Sequence, residues 1–271
     1  MKKLLTLVLC VVMLATLAVG CGTKTDEPAT TEKTKVVIGT MIQYEAVLQA
    51  VEENFEAMGY ELEIQMIDTL AALNNGLEER SMDANFFQHK PYMESFNASN
   101  GGHLVALEPG IMHSVYALYS EKYASLEELP DGALIGVPAD PSNQSCNLEV
   151  LHDAGVITLQ EKGEDGLYNL FDIIDNPHNY EFLECEMSAQ PGLYPDVDAM
   201  LAAAVSFSKA GLDISSPLAI NQNYEDYPMI VAVHEEDADA QWAKDLAKAF
   251  TAEGMADVIN TSLAGTFVAI F

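Results

Sequence analysis

From residue 36 onward, short apolar runs take turns with segments whose apolar residues recur every three or four positions, and this alternation restricts the chain to an α/β architecture. Val36 to Gly39 reads as a strand. The helix that follows carries Ala46, Val47, Ala50, Val51, Phe55 and Met58 on one face and stops at Gly59. The pattern continues with a strand alternating Leu62, Ile64 and Met66, a helix around Leu70 to Glu79, and strands near His103 to Leu107 and Ser114 to Ser120. Ser125 and Glu128 stand in capping-box spacing before Pro130. A second strand-helix set starts near Tyr123, with the strand Ala133 to Val137 leading into a helix that bears Leu148 and Leu151. The strand Met229 to Val233 and helices carrying Trp242, Leu246 and Phe250, then Met255, Val258 and Ile259, close the chain. No internal repeat is present. Two such sets imply two lobes, with a ligand crevice at the carboxyl ends of the strands.

The N-terminus sets the compartment. Lys2 and Lys3 precede an apolar run from Leu4 to Val19 that ends in Gly20 and Cys21. The run is short for a bilayer span and its basic flank lies on the retained side, so residues 1–20 read as a removable export signal. Leu17-Ala18-Val19-Gly20-Cys21 also reads as a lipobox with Cys21 as the lipidated residue, although Ala18 is looser than the usual leucine. An ordinary secretory signal followed by an incidental cysteine is the alternative. The stretch after Cys21, GTKTDEPATTEKTK, favours the lipobox: it has nothing to bury, and residues 21–35 suit a tether between lipid and domain. The predicted location is the extracytoplasmic face of the cell membrane, held by the lipid alone.

The formal net charge of −30 excludes holding nucleic acid or an anionic bilayer by charge. Of four cysteines, Cys10 leaves with the signal and Cys21 takes the lipid. Cys146 and Cys185 remain; the sequence alone is compatible with a bridge, and they are read as free thiols. There is no Gly-x-Ser-x-Gly elbow, phosphate loop, His-Glu-x-x-His or Cys-x-x-Cys, so no enzyme, no cofactor and no metal is expected. The sharpest catalytic idea, a Cys146 and His89 pair, has a simpler explanation in a changed ligand.

Met82-Asp83-Ala84-Asn85-Phe86-Phe87-Gln88-His89-Lys90-Pro91-Tyr92 resembles the signature of the methionine-binding lipoproteins, the substrate-binding subunits of methionine ABC importers. Ser125 to Gly132, Pro138-Ala139-Asp140-Pro141-Ser142-Asn143, Asp196-Val197-Asp198-Ala199 and the closing Phe267 to Phe271 extend the likeness over the chain. The resemblance implies a two-lobed periplasmic-binding-protein-like fold of type II character with the ligand cleft between lobes. It implies lobe 1 from residues 36–120 and 230–271 and lobe 2 from 121–229. It also implies closure on a small molecule and docking on the importer's membrane subunits. It places Phe87, His89 and Tyr92 in the ligand wall, where aromatic faces suit a thioether and an imidazole suits a carboxylate.

The same resemblance exposes four departures. The family's carboxylate-gripping arginine falls at Cys146, the asparagine-rich turn reads Ala202-Ala203-Ala204-Val205-Ser206, a strand asparagine becomes Met229, and a pocket tyrosine becomes roughly Leu70. Losing a charge-assisted bond of about 1.5–3 kcal/mol and two neutral ones of about 0.5–1.5 kcal/mol each weakens a zwitterion by several kcal/mol. Ser142, Asn143 and Gln144, at a helix start, are the candidate replacement donors. The ligand is then methionine on altered contacts or a less polar relative; an alternative is a surface lipoprotein that has lost transport and acts through protein contacts.

Overall fold

The computed structural model describes residues 34–222 and 226–271. The export signal, Cys21 and all of the tether before Thr34 lie outside the described residues. In chain order the strands are β1 (Lys35–Thr40), β2 (Glu61–Met66), β3 (Ala84–His89), β4 (Leu104–Ser114), β5 (Tyr116–Tyr119), β6 (Leu134–Pro138), β7 (Thr158–Leu159), β8 (Ile173–Asp175), β9 (Glu181–Cys185), β10 (Ala199–Ala203), β11 (Ala219–Ile220), β12 (Pro228–His234) and β13 (Phe267–Ala269). The longer helices are α1 (Glu45–Glu56), α2 (Leu70–Glu78), α3 (Lys90–Asn100), α4 (Pro141–Asp153), α5 (Ala204–Lys209), α6 (Gln241–Phe250) and α7 (Met255–Ser262).

The strands form a six-stranded sheet in the order β13-β4-β12-β3-β1-β2 and a five-stranded sheet in the order β11-β5-β10-β6-β9. Each has a parallel half: β1 pairs in parallel with β2 and β3, and β6 with β9 and β10. Burial explains the apolar runs. Every residue of β3 and of β10 is buried, as expected of strands covered on both faces. One apolar cluster, with Phe86, Val231 and Phe250 fully buried, serves the first sheet, and two others serve the second.

Sheet membership refines the expected boundaries. Lys35, read as the last tether residue, already lies in β1 and pairs with Glu61 and Glu63 at 2.9 and 3.0 Å. The strand read as Ser114 to Ser120 is broken at Val115, and β5, assigned to the 36–120 segment, belongs to the five-stranded sheet. The break has a physical cause: the Val115 N–H donates to Thr266 O in the first sheet's territory, while its carbonyl accepts from Ala204 N in the second's. Asn221 sits beside it, exchanging bonds of 2.9 Å with the Tyr116 backbone, so the two chain crossovers are tied together. The capping box expected at Ser125 does not close: Glu128 accepts from Ala124 N, but the Ser125 side chain caps nothing and only a 3-10 turn forms.

Candidate functional site

The parallel strands of both sheets end toward the same space. After β1 come Met41, Gln43 and Tyr44; after β2, Asp68, Thr69 and Leu70; after β6, Asp140 and Asn143; after β9, Glu186 and Met187; after β10, Val205 and Ser206. These segments, with Phe87, His89 and Tyr92 from the signature, surround a cavity of about 590 Å³. A crevice at the carboxyl ends of strands is where open α/β sheets place ligands.

The signature segment does two jobs. Asn85 and Gln88 are buried and satisfied inside the protein: Gln88 Nε2 donates to Asn74 Oδ1 at 2.7 Å and Asn85 Nδ2 to the same oxygen at 3.0 Å. This closed amide group fixes β3 against α2. Beyond it, His89 is the N-cap of α3, its Nδ1 accepting from the Tyr92 backbone N–H at 3.2 Å, with Pro91 in the first turn. The accepting Nδ1 leaves the proton on Nε2, which donates to Asn143 Oδ1 at 3.3 Å. Burial lowers the His89 pKa to about 4, so the ring is neutral. Phe87 and Tyr92 meet edge to face at 6.1 Å, and burial, with Asp140 and Glu186 adding to it, pushes the Tyr92 phenol up to about 12.

Across the cavity, Asp140 is the N-cap of α4, a helix buried continuously from Ser142 to Leu151. Its Oδ1 accepts from Asn143 N and Asn143 Nδ2, both at 2.9 Å, and from Ser142 Oγ at 3.2 Å. Asn143 is thereby a hub, since its Oδ1 also accepts from Tyr116 Oη at 3.4 Å. Behind His89 stands Tyr227, ring centroids 5.7 Å apart, which donates to the buried Glu149 at 2.9 Å; Lys162 completes that group at 2.8 Å from Glu149.

Of the residues singled out from sequence, Phe87, His89, Tyr92, Asn143 and Met229 line the cavity, as does Leu70. Ser142, Cys146 and Ala204 do not. Cys146 is one turn below Asn143 on α4, 2% exposed, and its thiol donates to Asn143 O at 3.3 Å. The thiol is turned to the helix backbone and takes no part in the cavity wall. Burial pushes that thiol well above its ordinary value, which leaves it protonated and removes the nucleophile idea. Ala204 is fully buried under Val115, and its neighbours Ala203, Val205 and Ser206 form the wall instead. The donors proposed at the helix start are already engaged: Ser142 and Asn143 with Asp140, and Gln144 Nε2 with Pro138 O and Glu184. Both Cys146 and Cys185 are free and buried.

Sequence reasoning missed Asp140, Gln43, Tyr44, Ser114 and Tyr116 as wall residues. Asp140 was the readable one, because Asp-Pro before an apolar helix is a cap signal. Away from the cavity, Glu78, His103 and His234, which no sequence spacing joined, bring donor atoms within 4.8 Å of one another; His103 Nδ1 is already paired with Glu78 at 2.8 Å. No helix among the described residues is long and apolar enough to cross a membrane.

The model of the NlpA lipoprotein family matches residues 36–271. The chain belongs to this family. Among NlpA relatives, the D-methionine-binding lipoprotein MetQ of Escherichia coli K12 is 29% identical over 245 residues, covering 89% of each chain. The methionine-binding lipoprotein MetQ of Bacillus subtilis 168 is 26% identical over 279 residues, covering 100% of this chain and 99% of its own. The solved nutrient-binding protein of Burkholderia cenocepacia bound to methionine superposes with a TM-score of 0.79 at 29% identity, over 87% of this chain and 100% of that one. The NlpA fold is therefore two-lobed, with the cleft between lobes, and its class is non-enzymatic.

Proposed function

We propose that this chain is the lipid-anchored, extracytoplasmic solute-binding subunit of an ABC importer. Its mature form begins at a lipidated Cys21 on a tether that ends where β1 starts, and its lobes follow the two sheets. The observation that carries the reading is the cavity itself: two sheets direct the ends of their parallel strands at one aromatic-walled space of about 590 Å³. The relatives support it: the two MetQ lipoproteins are named for methionine binding, and the Burkholderia cenocepacia protein was solved with methionine bound. The lobes part for solute entry at the 3.3 Å contact of His89 with Asn143 and re-form it on closure, and the closed form is what the membrane subunits receive.

The test is a thermal melt of the full-length chain, refolded to strip carried solute, against L-methionine, D-methionine, methionine dipeptides and a broad solute panel. A solute that binds only the folded state at a hundredfold excess over Kd adds about 2.7 kcal/mol, a shift of several degrees. At least one solute should produce that shift. Silence across the panel would leave a surface lipoprotein acting through protein contacts.

A further inference from the structure

Hydroxyls and Lys209 apart, the unpaired polar side-chain atoms that line the cavity are acceptors. Asp140, which lines the cavity, uses one carboxylate oxygen for its three internal bonds, and its second oxygen accepts none from the described residues. Gln43 Oε1 is buried without a partner, its amide nitrogen being directed at Met41 Sδ at 3.5 Å. Ser114 is 4% exposed, lines the cavity and leaves its hydroxyl unpartnered. Such groups are costly to leave unmade; the carboxylate and amide oxygens ask for a ligand that donates, and the Ser114 hydroxyl can accept from it as well.

The charges agree. Three carboxylates line the cavity, the half-buried Asp140 and the exposed Asp68 and Glu186, against one lysine, Lys209, which is also exposed. His89 is no counter-charge, because its ring is neutral and its Nε2–H is given to Asn143. Arg80 is the chain's single arginine, and it is paired with Asp237 at 2.9 Å, away from the cavity. The helix start that would otherwise attract an anion is occupied by the protein's own Asp140 carboxylate. A free carboxylate entering here meets like charge, and its donors are neutral hydroxyls such as those of Ser114 and Tyr92 and the exposed Lys209. A cation meets carboxylate, acceptors and the faces of Tyr92, Phe87 and Tyr116, and the field of a chain carrying −30 draws it in.

We infer that this site takes an organic amine in its cationic form, with an apolar body and no free carboxylate, such as the amide or the decarboxylated relative of a thioether amino acid. The inference rests on the reading of the cavity as the solute site. In it the ammonium lies between Asp140 and Gln43 Oε1, and the apolar body packs among Met41, Met187, Met229 and the aromatic wall.

The probes are L-methioninamide, 3-(methylthio)propylamine and L-methionine, titrated calorimetrically into the stripped full-length protein. The two amines should bind at least about tenfold more tightly than the free amino acid, and added salt should weaken them. Asp140→Asn keeps a good helix cap, so the variant folds, and it should weaken the amines about tenfold or more while closing the gap to methionine. Methionine binding as tightly as its amide overturns the inference and leaves the solute-binding reading in place. Silence toward both amines with a response to some neutral or anionic solute does the same, and silence toward every solute removes both.

Discussion

Between pH 6.5 and 4 the folded protein should lose about 3 kcal/mol of stability through His89 alone. The buried ring has its pKa lowered to about 4, against an ordinary value near 6.5, chiefly by desolvation, with the Asn143 bond and the Asp140 charge opposing. The unfolded chain binds a proton in this window and the folded chain does not, so stability rises with pH across it. The contribution is complete above pH 6.5 and is lost as pH falls toward 4; each pKa unit is worth about 1.4 kcal/mol. Urea denaturation of the wild type and of His89→Asn at intervals of pH isolates it from the carboxylates, which titrate in both. Asparagine still caps α3, and the variant's stability should change less steeply over the window. Parallel pH profiles would show that His89 does not titrate as its burial requires.

Asn143→Ala should destabilise the protein by about 2–3 kcal/mol, more than most single changes that remove no large apolar group. Asn143 is 5% exposed and its side chain joins three elements: it donates to Asp140 and accepts from His89 on β3 and Tyr116 on β5. Truncation orphans the His89 N–H and the Tyr116 hydroxyl, and the neighbouring cavity admits water that recovers part of the loss, which keeps the figure below the sum of the parts. The His89 contact bridges the two sheets, so the loss falls on the tie between lobes as well as on α4. Chemical denaturation gives the magnitude. A change under about 0.5 kcal/mol, the scale of an ordinary surface substitution, would contradict the hub.

What the sequence disclosed and what it withheld divide along the reach of side chains. The strand-helix alternation, the lobed class and the aromatic wall were legible because they depend on local periodicity and one contiguous segment, Met82 to Tyr92. Cys146 and Ala204 were misplaced for a geometric reason. Position in an alignment fixes where a backbone passes, but a thiol or a methyl at a position held by a longer residue does not project as far, and both turn into the core. The break at Val115 was illegible because its cause is two bonds to partners distant in sequence, Ala204 and Thr266. The electrostatics of the cavity were hidden likewise: Asp68, Asp140 and Glu186 lie at the ends of three different strands, and only the fold gathers them.

The central claim is that a solute occupies the space between the lobes against the signature's aromatic wall. The direct measurement is a calorimetric titration of the stripped full-length chain with the strongest solute of the panel, wild type beside Tyr92→Ala and Phe87→Ala. One site per chain is expected, weakened about tenfold or more in each variant, as for loss of a buried aromatic contact at a binding site. Unchanged affinity in both variants, with the proteins folded, would place the solute elsewhere and contradict the account.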